Sequence, residues 1–360
     1  MNFEKVIGDI RPFVIAGPCS AENEQQVLCT AEQLLKYSKI HAFRAGIWKP
    51  RTRPNSFEGV GERGLVWLKQ VKDIYQIPVI TEVANAKHVE KALEYGIDWL
   101  WIGARTTVNP FSVQEIADAL KGLDIPIFIK NPINPDLDLW IGAIERIYNA
   151  GIRKIVAIHR GFSSPNKHEY RNDPLWSIPI ELKRLFPSLE MLCDPSHIAG
   201  KPSLLSIVAQ KALDLEMNGI MIEVHYQPKS ALSDAKQQIT PLELQNLLNQ
   251  LIIRKLSVDN ELEQQLQAKR KRIDELDSIL LEILAERMKM IHEIGWMKKD
   301  HELTVLQLQR WNSILKDRLS EAQKLHLNPD FIKKIYELIH AESIQIQIQI
   351  LNEMEILKNS

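Results

Sequence analysis

The chain has 360 residues, 45% hydrophobic and 25% charged, and its formal net charge is −1. These values are ordinary for a folded globular protein. They exclude a global electrostatic case for nucleic acid or an anionic membrane, so neither is expected as a partner. Three cysteines (Cys19, Cys29, Cys193) make no disulfide framework, and MNFEKVIGDIRP lacks the apolar stretch of a signal peptide. With no run of about 18 apolar residues to cross a membrane, a reduced, cytoplasmic protein is expected. The length suits two domains, or one α/β barrel of roughly 250 residues with an appendage.

From residue 13 to about 225, short apolar runs alternate with amphipathic stretches. The runs are FVIAGPC (13–19), HAFRAGI (41–47), PVITEV (78–83), WLWIGA (99–104), PIFIKN (126–131), KIVAIHR (154–160), EMLCDPS (190–196) and GIMIEVH (219–225). Helix-like segments such as SVQEIADALKG and WIGAIERIYNAG follow them, and Gly or Pro often marks the turn into the next run. Near-continuous apolar strands separated by helices form a parallel sheet covered on both faces. Eight such units predict an α/β protein with a (β/α)8 TIM barrel spanning residues 1–255.

In that fold the C-terminal strand ends carry the chemistry. Cys19, Arg44, Arg105, Lys130, Arg160, His197 and Glu223 fall at those ends in seven units, and Asp234 follows in ALSDAKQ. Any one of them alone reads as a solvated loop entrance; seven of complementary chemistry on one rim read as a site. Cys19, His197, Glu223 and Asp234 form a mixed soft and hard donor set. It suits one divalent ion, Mn²⁺ first and Fe²⁺, Co²⁺ or Zn²⁺ as alternatives, over Mg²⁺ or Ca²⁺. Arg44, Lys49, Arg51, Arg105, Lys130 and Arg160 surround it with cations, as phosphorylated, carboxylated substrates require. Cys29 and Cys193 read as small buried hydrophobes, and His159 and His225 as hydrogen-bonding support near the site.

Beyond residue 255 the pattern changes: one proline (Pro329) and one glycine (Gly295) occur, with almost no strand signal. Leu262, Leu266, Ile273, Leu276, Leu280 and Leu284 recur at helical spacing. A long helix is predicted from about 260 to 299, a second from about 306 to 324, and a third from Asn328-Pro329 to about 354. A short polar linker, 256–263, precedes an all-α three-helix domain at 264–360.

The motifs GPCS, KPRTRP (49–54), IGART (102–106), IKNP (129–132), IHRGF (158–162), DPSH (194–197) and EVH with SDAKQ occur in successive units. Over residues 10–250 this series resembles the 3-deoxy-D-arabino-heptulosonate 7-phosphate (DAHP) synthases, in particular their short type I-beta branch. The resemblance implies condensation of phosphoenolpyruvate with erythrose 4-phosphate, with Lys49 and Lys130 catalytic and the metal on Cys19, His197, Glu223 and Asp234. It implies that Arg44, Lys49 and Lys130 face the carboxylate of the enol phosphate. Arg105, Lys130 and Arg160, with the backbone N–H of Ala104, would hold its phosphate, and Arg51 and Thr52 the aldose phosphate. The rival on this fold, 3-deoxy-D-manno-octulosonate 8-phosphate synthase, usually reads K-A-N-R where this chain reads KPRT.

In the tail, AKRKRIDELD onward, VLQLQRW and HAESIQIQ resemble the all-helical chorismate mutases over residues 264–354. The resemblance implies conversion of chorismate to prephenate. Arg270 and Arg287 would clamp carboxylates and Lys298 and Gln347 would meet the ether oxygen, with Arg310 and Ser343 completing the set. Arg270 would come from a partner subunit, so a homodimer through the helical domain is expected. Gln307 and Trp311 depart from the aspartate and glutamate common there, and the alternative is a non-catalytic module for dimerisation and metabolite sensing. About a dozen residues precede the first strand, which leaves the tail as the expected regulatory module and prephenate as its effector.

Overall fold

The computed structural model describes residues 1–49, 57–164, 169–255 and 260–352. Each of the eight apolar runs forms a strand: β1 (Phe13–Gly17), β2 (Ala42–Arg44), β3 (Val79–Val83), β4 (Trp99–Ile102), β5 (Ile127–Lys130), β6 (Ile155–His159), β7 (Glu190–Cys193) and β8 (Gly219–Glu223). They pair in parallel in chain order, and β8 returns to β1, closing the barrel. Closure depends on a close backbone approach at Gly219, where an added Cβ would sit 1.9 Å from the Phe13 carbonyl oxygen. Only glycine fits there.

Alternation along each strand divides its side chains between two cores. Ile15, Ile80, Trp101, Phe128, Ile158, Leu192 and Met221 point inward and fill the barrel axis, so the barrel is solid rather than a pore. Val14, Phe43, Leu100, Ile129, Ala157 and Ile220 point outward against the helical layer. The helices begin where local chemistry stops them fraying. Asn23 caps Glu24–Tyr37 by accepting from the Gln26 amide, and Thr240 forms a capping box with Glu243 at Pro241–Gln250. At the N-terminal end of the barrel, the amides of Val6, Ile7 and Gly8 donate to the Glu190 carboxylate at 2.7, 2.9 and 2.8 Å. That end is sealed by the chain itself.

Residues 257–360 form a second compact unit. Its helices run Asn260–Asp300, Leu308–Lys324 and Pro329–Asn352. The expected linker 256–263 is helical from Asn260 onward, and residues 256–259 lie outside the described segments. The first and third helices meet closely at Gly295, where a Cβ would lie 2.6 Å from Ile350 Cδ1. Gly295 is the one buried residue of the 41-residue first helix among those described. Ile273, Leu276, Leu280 and Ile283 on that helix remain exposed within this single chain. No described helix is long and apolar enough to cross a membrane.

Candidate active site

The barrel rim gathers four donors from three units. Cys19 leaves β1 fully buried, and Glu223 ends β8 fully buried. Asp234 sits in the loop beyond β8 at φ +47°. One ligand atom from each of these three lies within 4.8 Å of the others. His197, on the short Pro195–Ala199 helix after β7, brings Nε2 to 3.9 Å from Glu223 Oε1. One sulfur and two carboxylates gathered together, with an imidazole beside Glu223, fit a single borderline divalent ion.

The electrostatics favour that reading. Burial, reinforced by Glu223 and Asp234 and only partly offset by Lys49 and Arg44, pushes the Cys19 thiol up to about 12. Burial also lowers His197 below the usual histidine range, leaving its imidazole neutral and able to ligate. Burial opposes ionisation of Asp234, but neighbouring cations, Arg171 and Lys49 among them, help to hold the carboxyl below its ordinary value.

Beside the donors lies a narrow cleft lined by Arg44, Lys49, Ala104, Arg105, Lys130, Arg160, His197 and Asp234. Arg44 is fully buried at the end of β2. One guanidinium nitrogen donates to Glu223 at 3.2 Å, while Nε and Nη1 have no protein partner. The guanidinium also lies 4.8 Å from the Trp101 ring centroid. A buried cation with unused donors is costly unless an anion joins it. Lys130 Nζ lies 2.6 Å from Asp194 Oδ2, and burial lowers its pKa despite that carboxylate. Burial brings Arg160 down to about 10. Arg105 is exposed on the four-residue helix Ala104–Thr107 after β4. Arg51 and Thr52 lie outside the described residues.

Sequence reading missed several members. Glu82 of β3 supplies the one unit without an expected residue: its carboxylate is 3.6 Å from Lys49 Nζ and presses on Gly103, whose Cβ would stand 2.0 Å from Oε1. The signal was a single acid inside PVITEV. Asp194 caps the helix that carries His197 and lies 2.8 Å from His197 Nδ1. Gln238 accepts from the Cys19 amide at 3.0 Å, and Gln237 donates to Glu223 at 2.6 Å. Of the two supporting histidines, His159 is buried between Phe162 and Trp176, and burial takes it down to about 3. His225 Nε2 lies 3.8 Å from Glu22.

In the tail, Arg287 donates to Ser343 Oγ at 2.8 Å, and Gln347 Nε2 donates to the Ser343 carbonyl at 2.9 Å. Gln347 is buried with Oε1 unpartnered. Lys298 donates instead to the Val305 carbonyl at 2.6 Å. Arg270 pairs with Glu263 on the exposed face of the long helix, about 25 Å along the axis from Arg287. Arg310 is exposed. Trp311 stacks on His340 with ring centroids 3.9 Å apart.

The family model for the DAHP synthetase I family matches residues 4–257. The chain belongs to that family. Residues 269–348 match the chorismate mutase type II model. The phospho-2-dehydro-3-deoxyheptonate aldolase of Thermotoga maritima is 33% identical over 226 residues, which is 63% of this chain and 64% of that relative. The 2-dehydro-3-deoxyphosphooctonate aldolase of Geobacter sulfurreducens is 28% identical over 68% of this chain and 93% of its own length. The crystal structure of the Thermotoga maritima aldolase (DAHP synthase) superposes with a TM-score of 0.61 at 30% identity, covering 69% of this chain and 71% of that one. This DAHP synthetase I family chain thus carries a second, chorismate mutase type II segment within its helical unit.

Proposed function

We propose that the barrel condenses phosphoenolpyruvate with erythrose 4-phosphate to DAHP and inorganic phosphate, and that the tail rearranges chorismate to prephenate. Together they would make a bifunctional, cytoplasmic shikimate-pathway enzyme. The observation that carries the first half is the meeting of Cys19, Glu223 and Asp234 donors within 4.8 Å beside a cationic cleft.

Arg44 and Lys130, with Lys49, would take the carboxylate of the enol phosphate. Arg105, Arg160 and Lys130, with the Ala104 amide, would take its phosphate. A divalent ion on Cys19, His197, Glu223 and Asp234 would supply Lewis-acid polarisation of the aldehyde oxygen. C3 of the enol phosphate then bonds to the aldehyde carbon, water adds at C2 and phosphate departs. Lys49 and Lys130 would be the ammonium groups that give a proton to the new hydroxyl. The four-carbon aldose rests on the sequence KPRT, through Arg51 and Thr52. A product assay with erythrose 4-phosphate and arabinose 5-phosphate, with and without Mn²⁺ after chelation, tests the reading. Product from the five-carbon sugar alone, or full activity without metal, would reject it.

For the tail, Arg287, Ser343 and Gln347 would hold the dicarboxylate and its ether oxygen, with Lys298 and Arg310, while Arg270 enters from a second copy. The apolar stripe left exposed on the long helix supports a homodimer. A sensing module without turnover is favoured by one observation: Trp311 stacks on His340 and offers no carboxylate. In either case prephenate is the proposed inhibitor of the barrel. Synthase rate against prephenate, in the wild type and in Arg287→Ala, tests this; inhibition unchanged in the variant would move the effector elsewhere.

A further inference from the structure

Between the cationic half of the barrel site and its donor half runs a short irregular segment, Arg171-Asn172-Asp173. It belongs to no strand or helix, yet both halves are tied to it. The amide of Asp173 and the amide of Phe162 each donate to the other's carbonyl, at 2.9 and 2.8 Å, which fixes the segment beside the exit of β6. Asn172 is buried, and its side chain faces two ways. Oδ1 accepts from Arg160 Nη1 at 3.0 Å, and Nδ2 donates to the His197 carbonyl at 2.6 Å. The Asn172 amide also donates to the Ile198 carbonyl at 3.2 Å. Arg171 Nη1 donates to Asp234 Oδ1 at 3.2 Å and to Gln237 Oε1. Gln237 in turn holds Glu223.

Two glycines make the fit possible. A Cβ at Gly161 would come within 3.0 Å of Asn172, and one at Gly200 within 2.4 Å of Arg171 Cβ. Both have positive φ, +75° and +69°, so side chains are disfavoured there on conformational grounds as well.

We infer that Arg171 and Asn172 are positioning residues that brace the donor cluster and the anion-binding cations against each other. Asn172 links Arg160 to the helix bearing His197; Arg171, through Gln237, links Asp234 to Glu223. The chemistry explains the residue types. An amide has one acceptor and one donor end, so it joins a guanidinium to a carbonyl. A guanidinium is a fixed cation that can order a carboxylate and an amide oxygen together. Supports around ligating groups set their orientation, and their loss weakens affinity without any direct contact being removed.

The inference rests on the metal-binding and enol-phosphate-binding reading above, and the experiment separates the two. Full-length protein is titrated with Co²⁺, following the near-ultraviolet band of a thiolate–Co²⁺ pair. Metal-free protein is titrated separately with phosphoenolpyruvate by calorimetry. Asn172→Ala is expected to raise both dissociation constants about tenfold. Arg171→Met is expected to raise the Co²⁺ constant about tenfold and the phosphoenolpyruvate constant less than about twofold. Neither is expected to shift the ligand-free melting temperature by more than about 2 °C. A merely structural role would lower both affinities in both variants along with the melting temperature, and that result would overturn the brace. So would wild-type affinities in Asn172→Ala. If Asn172→Ala fails to fold, Asn172→Asp keeps the size and the acceptor for Arg160, and replaces the donor to the His197 carbonyl by a charged carboxylate oxygen. Unchanged Co²⁺ affinity in that variant rejects the brace. Wild-type protein that binds phosphoenolpyruvate but no Co²⁺ rejects the metal reading and the brace's donor half; binding of neither rejects both outright.

Discussion

In the barrel, residues from all eight units converge on one rim, each placed by the end of its own strand or the loop that follows. In the tail, the residues expected to act together are strung along helices, and Arg270 and Arg287 of the same 41-residue helix stand about five turns apart. The described part of the barrel site joins up within one chain: Arg44 meets Glu223, Lys130 meets Asp194, and Cys19 meets Asp234. The tail joins Arg287 to Ser343 and Gln347 but leaves Arg270 outside the group and the long helix's apolar stripe uncovered. A closed parallel barrel makes a site by topology, whereas the three helices of the tail bring together only part of the expected set, in keeping with the proposed second copy. Stability and function should therefore depend on concentration in one region and not in the other.

The harshest test of that separation is Glu223→Ala. It removes a donor and the partner of the buried Arg44, so synthase activity is expected to fall by at least about 10³ while mutase activity per chain stays constant; parallel loss of both would mean that the sites are not independent. Arg287→Ala is the converse, expected to lower mutase turnover about 10²-fold or more, with the synthase rate changed less than about twofold. Dilution sharpens the comparison further. Mutase turnover per chain should drop about tenfold once the chains dissociate, and synthase turnover should not, as rate measurements alongside sedimentation would show.

A smaller effect concerns protons. Because burial pushes the Cys19 thiol up to about 12, binding a metal must displace its proton at neutral pH. His197, lowered by burial, has already lost its own. Log affinity for Co²⁺ should therefore rise about one unit per pH unit from about pH 7 to 9; a flat profile would mean that the thiol is not a ligand. The smallest change expected is from Trp311→Ala, which deletes the stack on His340 and should cost the tail about 1 kcal/mol in denaturant unfolding.

The barrel was legible because its signal is local: eight apolar runs, seven of them with a site residue at or just beyond the strand end, specify strand and rim at once. The third unit escaped because Glu82 lies within its run, and its place is explained only by Lys49 and Gly103, which come from neighbouring units. Arg171 and Asn172 carried no pattern at all. Their partners are Asp234, 63 residues away, and His197, 25 residues away, and a loop without periodicity gives no hint of either. The tail helices were readable from their spacing and from the Asn328-Pro329 start. Their spacing marks an apolar stripe but does not say what, in the proposed dimer, would cover it.

The seal that Val6, Ile7 and Gly8 make over Glu190, with the packed axis above it, closes the N-terminal end of the barrel among the described residues. The barrel axis is therefore no passage for a small molecule. Traffic to Arg44 and its neighbours belongs to the opposite face, where the strands end.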